Sequence, residues 1–123
     1  MGFFKKLLGI TPTKPPLSLS DDNFQAEVLE SELPVLLDVW GGGCGPCKQL
    51  EPIVMALAAQ YDGRVKVCEL SAERAPRATA FLKIQATPTI LYFEAGKELE
   101  RIHGFRSSLF HQQTIHALFG IEQ

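Results

Sequence analysis

Residues 35–40, Val-Leu-Leu-Asp-Val-Trp, form an almost unbroken apolar run. A half-wetted strand would alternate apolar and polar residues, whereas a run like this marks a strand covered on both faces, as in a parallel sheet. Such a strand needs helices above and below it, which narrows the possible folds sharply. The one polar residue in the run is Asp38. A carboxylate there loses its water, which raises its pKa and suits it to proton transfer near neutrality. The alternative is an edge position from which Asp38 reaches solvent.

The flanking pattern supplies the partners of that strand. Leu17 to Leu19 reads as a short strand, followed by Ser20 as an N-cap with Asp21 and Asp22 in the first turn, where the helix dipole favours anions. Phe24, Val28 and Leu29 give this helix an apolar face, and it should end before Pro34. Beyond Gly41-Gly42-Gly43, residues Leu50, Ile53, Val54, Leu57, Ala58 and Tyr61 recur at helical spacing. Pro46 fits the first turn of that helix, Pro52 should kink it, and Asp62-Gly63 ends it. A strand over Val65 to Leu70 and a helix over about Arg74 to Leu82 follow. Thr89 to Phe93 and Leu99 to His103, joined by the turn 94–97, predict an antiparallel hairpin. The last helix runs from Ser107, an N-cap candidate, to Phe119, with Gly120 as its stop. The order β-α-β-α-β-α-β-β-α is that of an α/β domain, a mixed sheet with helices on both faces.

A chain of 123 residues is most simply one such domain. We place it at 17–123, behind a flexible N-terminal tail at 1–16 that contains Pro12, Pro15 and Pro16. In that tail Lys5 and Lys6 precede an apolar run only from Leu7 to Ile10, too short for a secretory signal, and Lys6 replaces the serine or threonine of a myristoylation motif. No stretch approaches the roughly 20 apolar residues of a transmembrane segment, so a cytoplasmic protein is expected. The net charge of −2, without basic runs, argues against a nucleic-acid partner.

Cys44-Gly45-Pro46-Cys47 then poses three choices. A structural zinc site needs a second ligand pair, and the remaining candidates Cys68, His103, His111 and His116 are scattered singly. No metal is therefore expected, and His111 and His116 read as solvated or partly buried helix residues. A stabilising staple is a poor fit, since bonding Cys44 to Cys47 closes a tiny loop and removes little unfolded-state entropy. A reacting dithiol fits better. Cys44 stands at a helix N-terminus, where free N–H groups and the dipole stabilise a thiolate, while Cys47 lies one turn further in and is better shielded. Cys68, in an apolar strand, reads as a buried inert thiol.

From about Leu17 to Phe119 the chain resembles thioredoxin. The resemblance is carried by "VLLDVW", "CGPCK", Pro52, "TPT" at Thr87 to Thr89, Phe93, Gly96 and Gly104. It implies a thioredoxin fold, with a central mixed sheet of about five strands flanked by four helices, and a thiol–disulfide oxidoreductase that reduces protein disulfides. It makes Cys44 the attacking thiolate, Cys47 the resolving thiol and Asp38 the proton shuttle for Cys47. Pro88 would be a cis-proline facing the sulfurs. Gly43, Gly45, Pro46, Ala86, Thr87 and Gly104 would form the substrate groove, with Trp40, Pro52 and Glu69 supporting the site. It further implies a monomer that binds no cofactor and takes electrons from thioredoxin reductase with NADPH, or from a similar flavoprotein. Two positions depart from the family: Gly43 stands where a tryptophan is usual, and Glu69 stands near where a lysine often accompanies the buried aspartate. If Glu69 points toward Asp38, two carboxylates share one site and at least one pKa rises. If it points to solvent, nothing follows. The rival reading is a thioredoxin-fold binding or co-chaperone module with little turnover.

Overall fold

The computed structural model describes residues 11–122; the readings made on Lys5, Lys6 and Leu7 to Ile10 lie outside them. Five strands form one sheet: β1 (Leu17–Leu19), β2 (Val35–Trp40), β3 (Lys66–Ser71), β4 (Thr89–Glu94) and β5 (Lys97–His103), in the order β1-β3-β2-β4-β5. β3 pairs in parallel with β1 and β2, whereas β4 is antiparallel to both β2 and β5. The apolar run of β2 thus lies at the centre of the sheet, and Leu36, Leu37 and Val39 are fully buried.

Four helices cover the sheet: α1 (Gln25–Leu29), α2 (Gly45–Gln60), α3 (Pro76–Phe81) and α4 (Ser108–Phe119). Period-2 alternation along β2 sends Leu36 to one face and Leu37 and Val39 to the other. Leu36 packs with Leu50, Val54 and Leu57 of α2 and Ile115 of α4. Leu37 and Val39 pack with Val28 of α1 and with Ala78 of α3. Fully burying a side chain such as Leu50 or Leu57 stabilises the fold by roughly 1.5–3 kcal/mol.

Two local details differ from the sequence reading. α1 is short and wound as a π-helix, and the first-turn role expected for Asp21 is not there. Asp21 instead accepts hydrogen bonds from the backbone N–H groups of Ala78 (2.8 Å) and Arg77 (3.2 Å), capping the N-terminus of α3. These bonds, led by the one from Ala78, hold its carboxyl below the usual range. The reason is that α3 begins at Ala75-Pro76 with no side-chain cap of its own, so its orphan donors recruit a carboxylate from 57 residues away.

The hairpin turn is as expected, with Ala95 (φ 52°) and Gly96 (φ 79°) both left-handed between the paired Glu94 and Lys97. Gly96 is required there because a Cβ would lie 2.6 Å from the Leu29 carbonyl oxygen. Ser107 caps α4 through Phe110 N–H at 3.2 Å, and Gly120 ends it at φ 66°. In the stretch read as a tail, the Lys14 backbone N–H donates to Met55 O at 3.0 Å, against α2.

Candidate active site

β2 ends at Trp40, and the chain then passes through the three glycines into α2, which puts Cys44 at the N-cap. Cys44 and Cys47 are joined in a disulfide, with their Cα atoms 5.3 Å apart. The Cys44 Sγ accepts a hydrogen bond from the Cys47 N–H at 3.2 Å, taking the place of a capping hydroxyl. The same N–H would face a Cys44 thiolate once the bond is reduced. Cys47 is buried at 6% exposure, whereas Cys44 is only half-buried, the asymmetry wanted of a resolving and an attacking sulfur.

The glycine approach is more ordered than its composition implies. The Gly42 N–H donates to Glu73 Oε1 at 2.6 Å, and Gly41 packs so closely on Thr87 that a Cβ would lie 2.9 Å from the hydroxyl oxygen. Gly43 has φ 67°, a conformation an L side chain adopts only with strain. On the other side of the site the Thr87–Pro88 peptide is cis, and the Pro88 carbonyl accepts from Gly104 N–H at 2.9 Å. The Thr89 hydroxyl donates to Ala86 O at 2.7 Å, fixing the loop that leads into the cis bond. Ala86, Gly45 and Pro46 are exposed, so backbone and small side chains dominate this surface. Pro52 continues within α2 and is also exposed.

Asp38 is 5% exposed, and its Oδ1 has no hydrogen-bond partner among the described residues. Burial first, then the Glu69 and Glu51 charges, push its pKa up to about 7. It lines a cavity of about 510 Å³ together with Cys47, Trp40, Glu69 and Glu51. The two orientations left open for Glu69 are thereby decided: Asp38 and Glu69 are register partners on β2 and β3, and both face the cavity. Glu69 is held there by Trp40 Nε1–H, which donates to Oε1 at 2.6 Å, and by the Ser18 hydroxyl, which donates to Oε2.

Three participants escaped the sequence reading, Ser18, Glu51 and Glu73, and Lys48 entered it only as the last residue of the CGPCK motif. Only Glu51 left a usable signal, since it stands four residues after Cys47 and so on the same helix face. Away from the site, the expectation for His111 is corrected. It is 1% exposed, its Nδ1 bonds the Tyr92 hydroxyl, and burial lowers its pKa to about 4. His116 is exposed, as expected. Cys68 is fully buried, and burial pushes its thiol up to about 12, so it is inert. Among the described residues no group of three or more His, Cys, Asp or Glu is placed to hold a metal ion, and no helix is long and apolar enough to cross a membrane.

Residues 15–116 match the family model described as Thioredoxin. The chain is 38% identical over 86 residues to the thioredoxin of Synechocystis sp., which spans 70% of this chain and 80% of that protein. It is 40% identical over 81 residues to the thioredoxin of Rickettsia felis, covering 66% and 77% of the two chains. Against the M-type chloroplastic thioredoxin of Spinacia oleracea it is 38% identical over 86 residues, covering 70% of this chain and 48% of that one.

Proposed function

The chain belongs to the thioredoxin family and is a thiol–disulfide oxidoreductase, and on that premise we propose how its own residues divide the work. The Cys44 thiolate attacks one sulfur of a substrate disulfide; a mixed disulfide forms and the other substrate sulfur leaves as a thiolate that takes a proton. Asp38 accepts the Cys47 proton through the cavity the two residues share. The Cys47 thiolate then attacks Cys44 Sγ, which releases the second substrate thiolate and leaves the Cys44–Cys47 disulfide.

The carrying observation is the placement of the pair: Cys44 is half-exposed at the N-cap of α2, and Cys47 is buried beside an unpartnered carboxylate. Extended substrate adds alongside the backbone of Ala86, Thr87 and Pro88, with Gly104 and Pro46 completing a groove of low side-chain selectivity. A donor must then return two electrons to the disulfide. Thioredoxin reductase with NADPH is our choice, acting on a cytoplasmic monomer whose domain occupies 17–123 behind the extension 1–16.

The test is a disulfide-bearing protein substrate with dithiothreitol regeneration. Cys47→Ser should stop turnover, by roughly a thousandfold or more, and accumulate the Cys44 mixed disulfide. Turnover that persists in Cys47→Ser, or a mixed disulfide trapped on Cys47 in Cys44→Ser alone, would reverse the assignment.

A further inference from the structure

The cavity behind the disulfide is larger than a proton relay requires. Its volume, about 510 Å³, lies in the range of small-molecule sites. Among the described residues, three carboxylates, Asp38, Glu69 and Glu51, line it against the one ammonium of Lys48. Pro15, Pro16, Val54 and Met55 add apolar wall, and the glycines at 41–43 contribute no side chains. An acidic lining alone would be no more than a solvated face. Asp38 is the second and independent observation: it is 95% buried (5% exposed), lines this cavity, and its side-chain Oδ1 has no hydrogen-bond partner among the described residues. Glu69 is already engaged by Trp40 and Ser18, so the carboxylate in want of a donor is Asp38. A buried acceptor of this kind is satisfied by a donor brought from outside.

We propose that this cavity is a binding site for a small organic ammonium with an apolar body, the ammonium donating to Asp38 and the hydrocarbon lying against the apolar wall. Charge selects the sign of the ligand, since three carboxylates face one lysine. The donor set selects against a metal ion, for which no suitable cluster exists among the described residues. The small and apolar walls admit an aryl-methyl or short alkyl group, and Cys47 is itself part of the lining, so a bound cation lies beside the redox site.

The pH dependence follows from the groups facing Asp38, which are Glu69 on β3 and Glu51 and Lys48 on α2, with Cys47 bound in the disulfide. The ammonium binds the ionised form of Asp38, whose pKa is about 7. The ionised fraction rises from about one-tenth at pH 6 to about nine-tenths at pH 8, so affinity should tighten about tenfold over that interval.

The experiment titrates the oxidised full-length protein with benzylammonium, which stays charged throughout, and follows Trp40 emission and the Gly41–Gly43 amide resonances. Benzyl alcohol and benzoate serve as neutral and anionic controls. Saturable binding of benzylammonium alone, about tenfold tighter at pH 8 than at pH 6, is the expected result. Asp38→Asn should abolish that pH dependence and weaken binding at pH 8 about tenfold or more. Glu69→Gln should keep the dependence but move its midpoint to lower pH. No saturable binding, equal binding of benzyl alcohol, or an unchanged profile in Asp38→Asn would overturn the proposal and leave the cavity filled by water only. Because binding is read without turnover, its failure is distinct from failure of the redox assignment.

Discussion

On the α1/α3 face of the sheet, Leu37, Val39, Leu70, Leu91 and Phe93 close around Cys68, and burial holds that thiol protonated far above neutral pH. On the α2/α4 face the packing is equally tight around Leu36, Leu50, Leu57 and Tyr92. Yet this second face carries all three described buried side-chain atoms that lack a hydrogen-bond partner: Asp38 Oδ1, Tyr61 Oη and His111 Nε2. One face is a core built for stability. The other accepts unpartnered polar groups, each a cost of about 1–3 kcal/mol while neutral and more when charged, and the redox pair stands at its end. Burial by itself therefore does not make a cysteine reactive: Cys68 and Cys47 are both buried, but only Cys47 adjoins a helix N-terminus, a cavity and a carboxylate.

The sharpest way to break this contrast is to remove the costly groups one at a time. Asp38 has a folded pKa of about 7 against an ordinary 3.8, so its protonated form is the one the fold favours. Its penalty is therefore absent below about pH 4, grows as pH rises, and is complete above pH 7, at up to about 4 kcal/mol. Asp38→Asn should raise the unfolding free energy at pH 8 by an amount of that order and leave it nearly unchanged at pH 4, as read by denaturant melts at both pH values. The same substitution should slow resolution of the mixed disulfide about a hundredfold, the lower end of what general acid–base catalysis contributes.

His111 gives the opposite sign. Its folded pKa of about 4 lies below the ordinary 6.5, so the neutral form is favoured and stability falls as pH drops from about 6.5 to 4. His111→Gln keeps a polar group for the Tyr92 hydroxyl and should flatten the acid limb of the stability curve by up to about 3 kcal/mol. Substitution at Cys68 should touch neither limb. The smallest effect is at the approach to the disulfide. Gly43→Ala meets no neighbour but forces φ 67° on an L residue, and should cost about 1 kcal/mol, whereas Gly45→Ala should cost clearly less.

Which parts of this were legible in the sequence follows the range of the interactions. The strand β2, the amphipathic α2, the Ser107 cap and the Gly120 stop depend on neighbours within a few residues, and local periodicity and cap chemistry announce them. Asp38 was legible because a lone carboxylate inside an apolar run has few places to go. The rest depends on pairings across 29 to 57 residues: Trp40 with Glu69, Gly42 with Glu73, Ser18 with Glu69, and Asp21 with Ala78. No local pattern encodes such a partner. Asp21 is the instructive miss, since its charge correctly signalled a helix N-terminus, but it was read into the first turn of α1 and instead caps α3. His111 was misread for a related reason: helical spacing placed it on α4, but which side of α4 meets the Tyr92 hydroxyl is fixed by β4, not by α4 itself.

At the centre stands the claim that Asp38 is a buried carboxylate tuned by its enclosure and by Glu69 to exchange a proton near neutrality. Carbon-13 NMR titration of the Asp38 carboxyl in the oxidised protein reads this directly, with Glu69→Lys as the comparison. The expected midpoint is about 7 in the parent and lower in Glu69→Lys, because the second-largest cause of the rise is removed. A parent midpoint near the ordinary 3.8, or one that Glu69→Lys does not move, would contradict it.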